Sequence, residues 1–259
     1  MTTVHVRVAG FTPSTSGLRF ANAFPPAPFW GLRLGRWIKV EIGDIANGLC
    51  GGMTFGVADQ HRAGLPPPPD EVAPPSGSEL HDRILRRQVD SFAGGRLPLR
   101  FYSLASPLRP ARDTAWARAL ARLGVDLHSR AHVMIAHEWP RIRQDLDAGR
   151  PVPLGLVRVV SANPLALTRN HQVLAWGYDL AGDLLTLRIY DPNWPGDDGV
   201  TLSLDVSDPG SDATPTWSHP DGAVVAFFRA PYRPPRPIPS PAPSLGRPAR
   251  PPGPPRGDR

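Results

Sequence analysis

Apolar and polar residues alternate from Val4 to Val8 and again from Leu18 to Phe24, the period of two that predicts half-buried β-strands. The period then lengthens. A helix is predicted from Cys50 to about Ala63, although Gly51, Gly52 and Gly56 each cost a helix roughly 1 kcal/mol relative to alanine. Such glycines need a reason, and close approach of another backbone or a substrate to the helix start is the simplest. Ser78 is placed to cap a second helix, with Leu80, Ile84, Leu85, Val89 and Phe92 on one face and Gly94-Gly95 ending it. Asp113 caps a third through Trp116, Ala119, Leu120 and Leu123, closed by Gly124. Pro140 suits a first helical turn, so a fourth helix runs to Ala148, with Ile142 and Leu146 inward and Gly149 closing it. Beyond residue 150 the runs shorten. Val152 to Val160, Gln172 to Tyr178, Leu184 to Tyr190, Val200 to Leu204 and Ala223 to Phe228 are rich in β-branched and aromatic residues and are separated by Gly, Asp, Asn and Pro. A helical middle followed by an antiparallel sheet is an α+β arrangement. There is neither an internal repeat nor a glycine-rich phosphate loop.

A chain of 259 residues, 41% of them apolar, can bury a substantial core in one large domain or two small ones. Its prolines are unevenly spread. Residues 231 to 259 hold twelve of them, together with six arginines and a single acid, Asp258, so this stretch carries +5 of the formal charge of +6. Such a composition offers few backbone donors and little to bury, which predicts a folded domain over residues 1–230 and a disordered Pro/Arg-rich tail over 231–259. Its Pro-Xaa-Xaa-Pro spacings fit a proline-reading protein partner, although any proline tract generates them. Leu65 to Pro75 is a second proline cluster and reads as an internal loop. With the tail set aside the chain is nearly neutral, which argues against specific nucleic-acid binding. Cys50 is the only cysteine, so no disulfide can form within the chain. The start Met1-Thr2-Thr3-Val4 lacks the basic and apolar segments of a secretory signal, and no window is long and apolar enough for a membrane span. A cytoplasmic protein without membrane contact is expected.

Candidate chemistry centres on Cys50, in Asn47-Gly48-Leu49-Cys50-Gly51-Gly52. A free thiol is only a few per cent thiolate at neutral pH, so a nucleophilic cysteine needs a helix start or a neighbouring imidazolium. His171 can supply the latter. The break Asp179-Leu180-Ala181-Gly182-Asp183 predicts a hairpin whose two-residue Ala181-Gly182 turn sets His171 opposite Asp191 or Pro192. Asp191 and Asn193 then share a face, and either can orient the imidazole. Taken alone, a lone cysteine is more often an inert buried residue; the distant His and acid reduce the weight of that reading.

Cys50-Gly51-Gly52, Asn170-His171-Gln172 with the run to Asp179, and Tyr190-Asp191-Pro192-Asn193 resemble the nucleophile, histidine and acid segments of papain-like cysteine peptidases. Bacterial proteins similar to bacteriocin leader peptidases are the nearest subgroup, over roughly residues 40 to 195. The resemblance implies a helical lobe carrying the thiol, packed against an antiparallel sheet lobe carrying the His and Asp. It makes Cys50 the nucleophile, His171 the base and Asp191 the orienter, with Asn193 as the alternative third residue. Where such enzymes place an oxyanion-stabilising glutamine, six residues before the nucleophile, this chain has Asp44; Asn47 is the substitute amide donor. Asn193-Trp194 is similar to the asparagine and shielding tryptophan of papain itself.

His132, His137 and Glu138 invite a metal reading, but five-residue spacing misses the i, i+4 face of a zinc helix and Pro140 follows closely, so they read as surface or packing residues. Asp191, Asn193, Asp197 and Asp198 gather oxygens without the EF-hand glycine and glutamate positions, and read as an acidic turn. No metal and no cofactor are expected. The expected function is a thiol-dependent hydrolase or acyltransferase acting on an amide (peptide, isopeptide or small amide) through an acyl-enzyme on Cys50. A catalytically silent binding or interaction module of the same fold is the alternative.

Overall fold

The computed structural model describes residues 2–24, 31–34, 38–41, 48–115, 119, 122–123, 128–220 and 222–235. Strand β1 (Thr3–Arg7) is followed by the short helix α1 (Pro13–Ser16) and by a separate hairpin, β2 (Gly31–Leu34) with β3 (Ile38–Glu41). Helices α2 (Cys50–Arg62), α3 (Glu79–Ser91) and α4 (Arg96–Ala105) come next. A further helical stretch runs as Arg130–His132, a π-helical segment Val133–Glu138 and Trp139–Asp147. Strands β4 (Val152–Val157), β5 (His171–Ala181), β6 (Leu184–Tyr190), β7 (Thr201–Asp205), β8 (Thr216–Trp217) and β9 (Ala226–Arg229) complete an antiparallel sheet in the order β8-β7-β6-β5-β4-β9. The architecture is α+β. No helix among the described residues is long and apolar enough to cross a membrane.

The eleven-residue β5 organises the sheet. On one edge it pairs first with β4, His171 opposite Leu156, and then with β1, Gly177 opposite Arg7. On the other edge it pairs with β6. The hairpin turn is Gly182-Asp183, one residue beyond the predicted Ala181-Gly182, because Ala181 itself pairs with Leu184 and Gly182 takes the left-handed φ of 59°. A bulge between Ala175 and Gly177 shifts the register back by one. Ladder pairing ends at Leu174 and Tyr190, so His171 has no backbone partner on β6.

One apolar core unites helices and sheet: Met53 and Phe55 from α2, Ile84 from α3, Leu97 and Phe101 from α4, Ile142 and Leu146, and the fully buried β4. Three readings of the sequence need correcting. Leu18 to Phe24 is no strand; Leu18, Phe20 and Phe24 are buried from a series of bends, which satisfy an alternating pattern equally well. In α3, Ser78 caps the helix by accepting from the His81 N–H, Ile84 is buried and Leu80, Leu85 and Phe92 pack against the core, but Val89 is exposed and the buried face also holds His81, Arg87, Gln88 and Ser91. Polar groups face inward there because α2 presents hydrogen-bonding partners. Beyond residue 230, Tyr232 packs edge-on against Phe55 and donates to Asp59 Oδ1 at 2.7 Å, and Arg87 donates to the Arg233 carbonyl at 2.9 Å. The first residues assigned to the tail are therefore seated on the domain. The helix predicted after Asp113 falls largely outside the described residues, as does 236–259.

Candidate active site

Cys50 is the first residue of α2, entered through Gly48 at φ 87° and Leu49. Leu49 has no side-chain acceptor for the unpaired N–H groups of a first helical turn, so the cap comes from elsewhere. Gln88 of α3 reaches across to accept the Gly52 N–H at 2.8 Å. Two of the three glycines are explained by this packing. A Cβ on Gly52 would lie 2.1 Å from the Ile84 carbonyl oxygen, and one on Gly51 would lie 2.2 Å from Gln172 Nε2. Nothing lies within 4 Å of a Cβ on Gly56. The glycines at the helix start thus admit α3 and β5 against the backbone, as close approach requires, whereas Gly56 has no such role.

His171, the first residue of β5, is 4% exposed, and the Cys50 side chain lies near enough to act on its ring electrostatically. Its Nε2 lies 2.6 Å from Asp191 Oδ1, just past the end of β6. The ring nitrogen left for the sulfur is Nδ1. Burial by itself lowers the pKa of this imidazole, but the Asp191 carboxylate and the Cys50 sulfur outweigh it and raise the value to about 10. Both neighbours thus favour the protonated ring, against the burial that disfavours it. Asp191 is fully buried; its Oδ1 also accepts the Asn193 N–H at 2.8 Å, and its Oδ2 has no hydrogen-bond partner among the described residues. Of the two candidates for the third position, Asp191 contacts His171, while Asn193 accepts from Asn22 Nδ2 at 3.2 Å.

Asn22 is a site residue that the sequence reading missed. Its Oδ1 accepts the Leu49 N–H at 2.6 Å, its own N–H donates to the Pro192 carbonyl at 2.9 Å, and its amide reaches Asn193. One side chain thereby ties the entry to Cys50 to the turn that carries Asp191. Its only signal in the sequence is a polar residue between Ala21 and Ala23, in a stretch read as a strand. Gln172 locks the other side: its Nε2 donates to Ser91 Oγ at 3.2 Å and its carbonyl accepts from Thr54 Oγ1 at 3.2 Å.

Asn47 and Asp44 lie outside the described residues. Trp194 packs on the ring of His219, with centroids 4.7 Å apart. The four oxygens read as an acidic turn disperse. Asp191 and Asn193 serve the contacts just given, Asp197 faces His219 Nε2 at 3.0 Å, and Asp198 accepts from Ser14 at 2.7 and 2.8 Å. Glu138 turns inward to Arg100 and to the Arg229 N–H, away from His132 and His137. Comparison with family models, curated proteins and solved structures gives no match to this chain.

Proposed function

We propose that the chain is a papain-like unit, helical lobe bearing Cys50 against a sheet lobe bearing His171 and Asp191, that performs thiol-dependent acyl transfer on an amide. The observation that carries this reading is the His171 imidazole, paired with the buried Asp191 carboxylate and set beside the Cys50 side chain at a helix start. In the forward step the Cys50 thiol gives its proton to His171 as the sulfur attacks the carbonyl carbon, a C–S bond forms, and the carbonyl electron pair moves to oxygen. The Gly52 and Met53 N–H groups are taken by Gln88 and Leu49. The Cys50 and Gly51 N–H groups have no acceptor among the described residues and are aimed with the helix start, where a developing oxyanion is stabilised. Collapse breaks the C–N bond as the His171 proton passes to the leaving nitrogen. Water, deprotonated by His171, then releases the acyl group. The substrate class is a peptide, isopeptide or small amide.

Asp44, standing where papain-like peptidases carry a glutamine, favours a second reading in which the same fold binds a peptide without turnover. Iodoacetamide at about pH 6, with Cys50 followed by mass spectrometry, separates the two. An activated thiol reacts faster than a free cysteine, and His171→Ala removes most of that advantage. Equal rates in wild type and variant would leave the thiol unassisted and the binding module standing.

A further inference from the structure

A second group of chemically competent side chains lies in the helical stretch, and the acyl-transfer reading makes no use of it. His128 precedes this stretch, His132 ends its first segment, and His137 lies in the π-helical segment Val133–Glu138. One ring nitrogen from each lies within 4.8 Å of those of the other two. The rings of His128 and His132 stack with centroids 4.1 Å apart and 11° between planes, and His137 leans on both at 5.7 and 5.3 Å. Positions five apart on a regular α-helix diverge by about 140° around the axis. A π-turn, with its i→i+5 bonding, sets such positions over one another. The spacing that argued against a metal in the sequence therefore becomes the spacing that brings His132 and His137 together.

Asp113 completes the arrangement from behind. Its Oδ1 accepts the Ser129 N–H at 3.2 Å, and its Oδ2 lies 3.4 Å from His132 Nδ1. A carboxylate on Nδ1 fixes the tautomer that leaves Nε2 as a donor to a metal, and such partners orient most histidine ligands. The neighbouring guanidiniums are anchored on backbone oxygens: Arg109 Nη1 on the His128 carbonyl at 2.5 Å, and Arg130 on the Leu104 and Ser106 carbonyls at 2.9 and 3.0 Å. At metal–nitrogen bonds of about 2.0–2.1 Å, three tetrahedral nitrogens sit roughly 3.3 Å apart. From separations of at most 4.8 Å the nitrogens must close in, and the stacked rings of His128 and His132 must turn about their χ angles to aim at one centre; His137 is exposed and His128 and His132 half-exposed, so the side chains have room to do so.

We infer that His128, His132 and His137 form a site for a divalent metal ion of borderline softness, Zn²⁺ foremost, with Asp113 as the carboxylate behind His132. Three neutral imidazoles select zinc, cobalt or nickel over magnesium and calcium. The fourth tetrahedral position is left for water or an exogenous ligand. Filling the site joins the chain that enters the helix to its π-turn.

The test uses the untagged full chain carrying Cys50→Ala, so that a thiol beside His171 supplies no competing site and the outcome is independent of the acyl-transfer reading. Titration with zinc sulfate in a calorimeter should give one Zn²⁺ per chain, and Co²⁺ should give visible absorption typical of a nitrogen-bound ion of low coordination number. Adding His137→Gln, at an exposed position whose fold is checked by circular dichroism, should weaken zinc binding at least 30-fold. Asp113→Asn should weaken it by about 10- to 100-fold. Absence of stoichiometric zinc, or unchanged affinity in the His137→Gln protein, overturns the site.

Discussion

At the scale of single residues, Asp191 places one carboxylate oxygen against two donors, the His171 ring and the Asn193 N–H. Replacing the carboxylate by an amide keeps shape and burial but removes the charge that stabilises the imidazolium, and an amide that turns its NH₂ towards Nε2 favours the wrong tautomer. Asp191→Asn is expected to leave the fold intact and to lower turnover by about two to four orders of magnitude. Asn193→Ala removes only an acceptor for Asn22, and is expected to cost about 1 kcal/mol of stability and less than tenfold in rate. Measured kcat decides the ranking, or the Cys50 alkylation rate where no substrate is in hand. The reverse order would assign the orienting role to Asn193.

The elements show why three similar glycines in α2 are not equivalent. Gly52 lies under the backbone of α3, where the Ile84 carbonyl cannot swing aside as a flexible side chain does, so Gly52→Ala must push two helices apart. A loss of roughly 2 kcal/mol or more is expected, with Cys50 displaced from His171. Gly56 faces open space at an ordinary helical position. There Gly56→Ala should raise stability by about 0.5–1 kcal/mol. Paired urea melts of the two variants test both signs, and two variants that destabilise equally would contradict the packing described at the helix start. The polar inner face of α3 belongs to the same account: Gln88 caps α2, Ser91 holds Gln172, and Arg87 donates to Asp59 and Asp90 while lying over the Phe55 ring.

For the molecule as a whole, the boundary of the folded unit lies past Tyr232 rather than at residue 230. Tyr232 covers Phe55 and hydrogen-bonds Asp59, and the following carbonyl satisfies buried Arg87. Ending the chain after Pro235 should leave the melting temperature within a degree or so, since the proline and arginine composition of 236–259 provides little apolar surface. Ending it after Ala230 removes the ring and takes from buried Arg87 one of its acceptors, the Arg233 carbonyl, at a cost of roughly 2 kcal/mol. For a domain of this size that corresponds to about 4–8 °C. Thermal melts of the two truncations make the comparison, and equal melting temperatures would return the boundary to residue 230.

The local pattern of the chain was sufficient for much of this. Short runs rich in β-branched and aromatic residues, bounded by Gly, Asp, Asn and Pro, mark β4 to β7, since strand composition and turn residues are local properties. Ser78 before a helical run and Gly149 after one mark helix ends, because capping is equally local. The pairing of His171 with Asp191 was legible because a hairpin register can be counted outward from its turn. What required tertiary structure were groups whose partners are far away along the chain. Asn22 reads as part of a strand until it is seen tying Leu49 to Pro192 and Asn193. The apolar face of α3 was legible except at Val89, but the burial of His81, Arg87, Gln88 and Ser91 was not, because burial of a polar side chain follows from its partner, as with the Gly52 N–H for Gln88, and not from its own hydropathy. The hairpin register hinges on a bulge between Ala175 and Gly177, where the other edge of β5 passes from β4 to β1. His132 and His137 look unrelated at five residues apart, and only the π-turn, a local choice enforced by the surrounding packing, brings them onto one face.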